Sequence, residues 1–206
     1  MRAWVAALLA LAWLAGCSAV GVRTATEPGF TVVGRLGKVE VRQYGVRVAA
    51  ETIAVGDEDG ARSIGFRRLA DYLAGANRTG TRIASAAPVA QEPAALVAAP
   101  FQQLREGEGR WRIRLFLPPG LALASLPAPN DPSVRLVEVP PQTMAVLRFA
   151  GPTDPVAVTA RTGELVTALE GSAWRPAGEP VAWFYDPPWT LPPLRRNEVA
   201  IPVSPD

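Results

Sequence analysis

Short runs of alternating hydrophobic and polar residues recur along the chain and predict β-strands. The clearest is Arg110–Leu117, where every odd-numbered residue is apolar and three of the even-numbered ones are arginine. This two-residue period is typical of a half-buried strand. Ile83–Gln91 contains Pro88 and is predicted to form an edge strand or a bulge, because proline cannot donate to a ladder. The other predicted extended runs are Phe30–Val33, Val39–Arg42, Val46–Val55, Ala94–Arg105, Val134–Phe149 with a break at Pro140-Pro141, Val181–Tyr185 and Val199–Val203.

Two longer stretches follow the helical period instead. In the first, from about Gly60 to Gly75, the side chains of Phe66, Leu69 and Leu73 fall on one stripe. This spacing predicts a helix whose stripe faces the core. Asp59 is placed to cap the start of this helix, and the acidic residues around it suit the helix dipole better than a metal site.

The second predicted helix gives the chain an internal repeat. It begins at Asp154-Pro155, an N-cap followed by proline at the first helical position, and it ends at Glu170 before Gly171. Strands, helix and strands therefore occur twice along the chain. Each half has one sheet face to bury, which predicts an α+β fold in which two sheets pack together with a helix on each flank.

Composition narrows the classes of function. With 206 residues, 49% of them hydrophobic and 19% charged, the chain suits one globular domain with a proper core. It contains no histidine, which excludes Ser-His-Asp and Cys-His catalysis, histidine zinc sites and histidine-ligated haem. The net charge is +2 and the basic residues are scattered, so nucleic acid is not an expected partner. Carboxylates such as Glu138, Glu179 and Glu198 form no pair at a spacing that suggests acid–base work, so we expect a protein that is not an enzyme.

The N-terminus has the pattern of a bacterial lipoprotein signal. Residues 1–16 carry one positive charge and then an apolar run that is shorter than the about 20 residues a spanning helix needs. The segment Leu14–Cys17 resembles a lipobox, which predicts cleavage before Cys17 and lipidation of its thiol; the alternative is an ordinary secretory signal with an incidental cysteine. Residues 17–29 are predicted to be a tether, and residues 30–204 the folded domain. Ser18 after the cysteine favours an outer-membrane anchor facing the periplasm.

The last long loop, Tyr185–Val199, is rich in proline and predicted to be extended. It places Trp189 and other apolar side chains beside Arg195 and Arg196. Such a surface suits a flat apolar ligand with acidic groups at one edge. The alternative is a structural loop that closes one end of a barrel, with its arginines paired to nearby carboxylates. Asn197-Glu198 is interpreted as a hydrogen-bonding plug at the start of the last strand.

Several segments resemble motifs of the SOUL haem-binding family. The strongest match is Tyr185–Trp189 together with Arg195–Val199, and Lys38–Tyr44 resembles the first motif of the family. Further similar segments are Phe66–Asn77 followed by Gly80, Ala87–Val89, Phe116–Pro118 and Asn130–Val134. The resemblance extends over roughly residues 28–203, nearly the whole predicted mature chain.

The resemblance implies a distorted β-barrel built from two similar halves, with two helices packed outside. It also implies that haem or a related tetrapyrrole binds in an apolar pocket beside the first helix and near the proline-rich loop. Carried onto this chain, the pocket wall would be Phe66, Ala70 and Leu73 from the helix and Trp189 from the loop. Either of two arginines, Arg67 or Arg195, would meet the propionates of the ligand.

The chain departs from the family in lacking the axial histidine with which some members are credited. Iron ligation would have to come from Tyr44, Tyr72, Tyr185 or Met144, each of which is better explained as a packing residue. We therefore expect weak hydrophobic capture of haem. Two alternatives stay open: a general binding module for small hydrophobic molecules, and a scaffold lipoprotein that binds another envelope protein.

Overall fold

The computed structural model describes residues 26–84, 87–94, 109–186 and 189–206. The predicted signal peptide, the Cys17 lipidation site, the tether as far as residue 25 and all but the first residue of the extended run Ala94–Arg105 lie outside the described residues. The elements are β1 (Phe30–Leu36), β2 (Val39–Tyr44), β3 (Arg47–Gly56), α1 (Glu58–Ala74), β4 (Val89–Pro93), β5 (Gly109–Phe116), β6 (Val134–Val139), β7 (Gln142–Phe149), α2 (Pro155–Leu169), β8 (Trp174–Pro176), β9 (Val181–Phe184) and β10 (Asn197–Pro205).

The strands form one antiparallel sheet in the order β1-β2-β7-β10-β9-β4-β5-β3-β6, with β8 added on β10. The halves exchange N-terminal strands, because β2, with β1 beside it, pairs with β7 of the second half, and β6 pairs with β3 of the first half. The predicted α+β fold with two similar halves is thereby confirmed. The ladder does not close into a complete barrel: among the described strands, β1 and β6 end the main ladder, and β8 has a free edge beside β10.

The core lies in three layers around this sheet. A central core collects apolar side chains from both halves, among them Tyr44, Phe116 and Trp183. A second cluster packs between the sheet and α2, and a third between the sheet and α1. The middle strands are therefore covered on both faces. The two halves face each other across the central core, as the sequence predicts, although they belong to one continuous sheet.

Asp57, rather than Asp59, caps α1. The backbone of Asp57 is extended, and its Oδ1 accepts a hydrogen bond from Gly60 N at 2.7 Å. Asp59 already lies in the first turn, where its carboxylate pairs with Arg62. The prediction that Asp59 is the cap is therefore wrong by two residues, although the role assigned to the acidic run is correct. The predicted cap of α2 is confirmed: Asp154 Oδ1 accepts from Ala157 N at 2.9 Å.

The buried face of α1 is rotated from the predicted stripe. Leu69 and Leu73 are buried as expected, but Phe66 is 47% exposed. The reason is Gly65, which packs directly on the sheet: a Cβ added there would lie 2.4 Å from Ile113 Cγ1. Because the helix approaches β5 through this glycine, Phe66 is carried to the flank of the contact.

Two strand predictions change once the sheet is assembled. Pro88 does not mark an edge, because β4 lies between β5 and β9. The proline precedes the strand, so its missing N–H breaks no ladder hydrogen bond. The arginine face of β5 is not a fully solvated face either: Arg112 and Arg114 make part-buried ion pairs with Glu51 and Glu92.

The loop after β9 is only partly as predicted. Residues 187–188 are outside the described part, and residues 192–194 form a 3-10 turn instead of an extended chain. The predicted display of apolar side chains is confirmed, since Trp189, Leu191 and Leu194 are all exposed. In the described ranges, no helix has the length and apolar character that a membrane crossing requires.

Candidate functional site

An apolar groove lies beside α1. Its volume is about 440 Å³, within the size range of small-molecule sites, about 300–1,000 Å³. We call it the α1 groove, and its lining residues are Phe66, Ala70, Leu73, Ala74, Arg82, Ile83 and Leu115. One side is helix, the floor includes β5, and the other side is the segment that follows α1.

The helical wall of the α1 groove follows from residue spacing. Phe66, Ala70 and Leu73 recur at intervals of four and three residues, which places them on one face of a helix. Leu73 is buried and forms part of the base, while the half-exposed Phe66 ring forms the rim. This wall therefore combines a preformed apolar surface with a ring that is open to a ligand.

Asn77 holds the opposite wall in place. Its Nδ2 donates to Tyr72 O at 3.2 Å and to Thr81 O at 2.7 Å. Its Oδ1 accepts from the backbone N–H groups of Thr79 and Thr81 at 3.2 and 3.1 Å. The buried side chain therefore adds four hydrogen bonds to the backbone of this turn and of the end of α1. The turn after it places Ile83, whose N–H donates to Leu73 O at 2.8 Å.

Arg82 is the single charged residue in the described lining of the α1 groove. Its side chain is exposed, and among the described residues no hydrogen bond or ion pair engages it. An apolar groove with one cation at its edge matches a flat apolar ligand that carries a carboxylate. Sequence reasoning missed this residue; its position just after the Asn77 turn was the available signal.

The structure brings together three of the six predicted pocket residues. Phe66, Ala70 and Leu73 line the α1 groove. Arg67 is exposed on the same helix but is not part of the lining, and neither Trp189 nor Arg195 lines it. Trp189 is 66% exposed on the loop after β9. In the same loop, Arg195 Nε donates to Thr190 O at 2.8 Å.

The side chains considered as iron ligands lie elsewhere. Tyr44 and Met144 are in the central core, and Tyr185 packs against it. Tyr72 lies on the buried face of α1, and its hydroxyl donates to Pro127 O at 3.1 Å. Burial raises the pKa of this hydroxyl. Within the described ranges, no group of acidic or cysteine residues is arranged to hold a metal ion. The groove therefore suits capture by apolar contact and charge rather than by iron ligation.

A buried ion cluster joins the two halves. Glu198 is fully buried, with its Oε2 2.9 Å from Arg42 Nη1 and its Oε1 3.0 Å from Arg196 Nη2. The Tyr185 hydroxyl donates to Glu198 Oε2 at 2.7 Å. Asn197 is also buried, and its Nδ2 donates to Gly151 O at 3.3 Å. The predicted role of Asn197-Glu198 as a hydrogen-bonding plug is confirmed.

The cluster shifts the acidity of its members. Burial alone would raise the pKa of Glu198, but the hydrogen bond and charge of Arg42, with the Tyr185 and Arg196 contacts, outweigh it and lower that pKa. Burial, with the adjacent Glu198 charge, raises the pKa of the Tyr185 hydroxyl. The carboxylate therefore stays ionised and the phenol stays protonated, which identifies a structural ion pair rather than an acid–base pair.

One family of known proteins matches the sequence of this chain. The sequence model described as SOUL heme-binding protein matches residues 25–202. None of the curated protein sequences matches.

Solved structures share the fold at low sequence identity. The C-terminal domain of EcmrR has a TM-score of 0.59 at 10% identity, over 82% of this chain and 98% of that one. A conserved protein from Listeria innocua has a TM-score of 0.56 at 13% identity, over 89% and 95%. A hydrolase from the same organism has a TM-score of 0.57 at 14% identity, over 81% and 92%. These similarities establish the fold alone.

Proposed function

Because the chain belongs to the SOUL haem-binding protein family, we propose that it binds haem or a related tetrapyrrole in the α1 groove, without a histidine ligand. The observation that carries this proposal is the pairing of an apolar groove with one unengaged cation, Arg82, at its edge. The macrocycle would lie against Phe66, Ala70 and Leu73. A propionate would accept hydrogen bonds from Arg82, which takes the role that the sequence suggested for Arg67 or Arg195.

The groove fits a tetrapyrrole held by its ring and its carboxylates. Its lining supplies apolar contact on three sides and no side chain of the kind that ligates haem iron. It also supplies no carboxylate or nucleophile for chemistry on a bound molecule. We therefore propose a role in binding, buffering or delivery rather than catalysis.

The proposed location is the cell envelope. It rests on the sequence of residues 1–17, with a lipid on Cys17 as the anchor and the outer membrane as the expected site. Replacing Cys17 by serine should release the protein from the membrane fraction and abolish labelling by a palmitate analogue. Retention of the label in that variant would contradict the anchor.

A haemin titration of the purified full-length chain, followed by absorbance and tryptophan quenching, tests the ligand. We expect saturable binding near one equivalent and its loss in Phe66→Asp. The matched control is Val156→Asp, which introduces the same charge at an 80% exposed position on α2. Equal binding by wild type and Phe66→Asp would remove the α1 groove from consideration.

Two ligands separate a tetrapyrrole site from a general hydrophobic one. If Arg82 binds a propionate, Arg82→Gln should weaken the binding of haemin and of metal-free protoporphyrin about five- to tenfold. This is the loss in affinity expected for one charge-assisted hydrogen bond. The dimethyl ester of the porphyrin should bind both proteins equally. Equal affinity for unrelated flat apolar compounds would instead favour a general binding module, for which the absence of iron ligands in the groove is the supporting observation.

A further inference from the structure

A second, smaller cavity lies between the two halves, on the central-core side of the sheet. Its volume is about 10 Å³, close to the room that one water-sized group needs. Aromatic rings form most of the wall, and Pro28 lies at one side. The principal wall residues are Tyr44, Phe116, Trp183, Tyr185 and Arg47. This cavity shares none of its lining with the α1 groove.

Two buried N–H donors of the wall have no acceptor among the described residues. They are Arg47 Nε and Trp183 Nε1, on side chains that are 8% and 2% exposed. Buried donors of this kind are nearly always hydrogen-bonded in proteins, because leaving one unpaired costs about 1–3 kcal/mol. Arg47 and Trp183 both line this cavity, so an acceptor placed in it is a candidate partner for each donor.

Arg47 also lacks a carboxylate partner in the described ranges. Its Nη2 donates to the neutral amide oxygen of Gln142 at 2.9 Å, and its guanidinium stacks on Tyr44 and Phe116 at 4.5 and 4.8 Å. Burial lowers its pKa to about 10. Arg42, the other buried arginine among the described residues, is paired with Glu198, and the half-buried Arg196 and Arg114 are paired with Glu198 and Glu51. Arg47 is therefore a buried cation for which an anion would be a favourable neighbour.

A short strap, Thr26–Pro28, covers the cavity. Thr26 O accepts from Ala87 N at 2.9 Å in the first half. Glu27 Oε1 accepts from Arg196 Nη1 at 2.7 Å in the second half. Pro28 is buried against the cavity. Glu27 is the sole carboxylate of the lining, and its ion pair with Arg196 occupies it.

We propose that this cavity is a second binding site, for a small aromatic carboxylate, and that the strap is its movable cover. The carboxylate accepts hydrogen bonds from Arg47 Nε and Trp183 Nε1. The ring of the ligand packs among Tyr44, Phe116 and Tyr185, in the space that Pro28 takes when the strap is closed. Neither part of the proposal depends on tetrapyrrole binding, because the two sites have different linings.

Calorimetric titration of the full-length chain with benzoate tests the site. We expect saturable binding of benzoate and none of benzyl alcohol, which has the ring without the charge. Arg47→Gln should abolish the binding, and Trp183→Phe, which removes the indole donor and keeps an aromatic ring, should weaken it about tenfold. Should Arg47→Gln fail to fold, Trp183→Phe decides alone. Benzoate binding that is unchanged in Trp183→Phe, or matched by benzyl alcohol, overturns the site.

The cover is tested separately by Glu27→Gln. This variant loosens the strap while leaving Arg196 paired with Glu198. We expect about fivefold tighter benzoate binding, because less of the binding free energy is then used to open the cover. The matched control is Glu164→Gln, which removes one charge from an exposed ion pair on α2 and should leave the affinity unchanged. If Glu27→Gln and wild type bind benzoate with equal affinity, the strap is not a movable cover.

Discussion

Arg42 and Glu198, 156 residues apart in the sequence, meet inside the protein with Arg42 Nη1 2.9 Å from Glu198 Oε2. Arg42 lies on β2 in the first half, and Glu198 lies near the start of β10 in the second. The second guanidinium, Arg196, and the Tyr185 hydroxyl complete the carboxylate's hydrogen bonds. Because Glu198 is fully buried, its charge depends entirely on these contacts.

Removing that charge should destabilise the fold strongly. Glu198→Gln leaves the buried Arg42 guanidinium and the half-buried Arg196 guanidinium facing a neutral amide. Breaking a buried ion pair from one side costs about 3–5 kcal/mol. Urea unfolding measures the free energy of unfolding directly. Glu138→Gln, an exposed change of the same kind on β6, should stay within about 0.5 kcal/mol of wild type. A loss below about 1 kcal/mol in Glu198→Gln would contradict the role of the ion pair.

The same cluster predicts the response to acid. The pKa of Glu198 is lower in the folded protein than its ordinary value of 4.5. Its contribution to stability is therefore complete above pH 4.5 and is lost as the pH falls through the folded pKa. Urea unfolding at a series of pH values from 7 to about 3 should show wild type and Glu198→Gln converging at the acid end. If the free energies of unfolding of the two proteins instead differ by the same amount at every pH in this range, groups other than Glu198 cause the acid sensitivity.

Two glycines in helices should respond oppositely to alanine. Gly65 on α1 packs so closely on β5 that an added Cβ would lie 2.4 Å from Ile113 Cγ1. Gly65→Ala should therefore cost about 1–3 kcal/mol through overpacking. Gly163 on α2 has no atom within 4 Å of its added Cβ, so Gly163→Ala should stabilise the protein by about 0.5–1 kcal/mol. Thermal unfolding of both variants measures these two effects. A Gly163→Ala protein less stable than wild type would contradict the prediction that the two glycines respond oppositely.

Asn77 should affect both stability and the α1 groove. In Asn77→Asp the Nδ2 amide group, which donates two hydrogen bonds, is replaced by a carboxylate oxygen. That negative charge then faces the carbonyl oxygens of Tyr72 and Thr81. We expect a loss of about 2–3 kcal/mol and weaker haemin binding, since the wall that carries Ile83 is released. Asn130→Asp, at an exposed position, is the control and should change neither quantity. The measurements are urea unfolding and haemin titration of the same preparations.

Elements with a clear period could be predicted from the sequence. The two helices, most strands and the repeat of strands, helix and strands all follow from spacing and caps. The family motif placed Phe66, Ala70 and Leu73 together, and the structure confirms that they share one wall. β8 was not predicted, because its three residues are too few to show an alternating hydrophobic pattern.

Burial on both faces of the sheet is what the sequence could not reveal. Polar residues on an alternating strand normally indicate a solvent face. In β2 the polar face instead carries Arg42 toward the buried Glu198, because the second half of the chain covers it. Arg82 and Trp189 illustrate the same limit for the site. Their distance from α1 depends on how the turns fold, and no local spacing encodes it.

The exchange of N-terminal strands between the halves limits how independent each half can be. Each half contributes three strands and one helix to its own sheet, but the strand that completes the sheet comes from the other half. β2 of the first half pairs with β7, and β6 of the second half pairs with β3. A half expressed alone would therefore leave the edge of β3 or β7 unpaired, and such a chain could complete its sheet only by pairing with a second copy of itself.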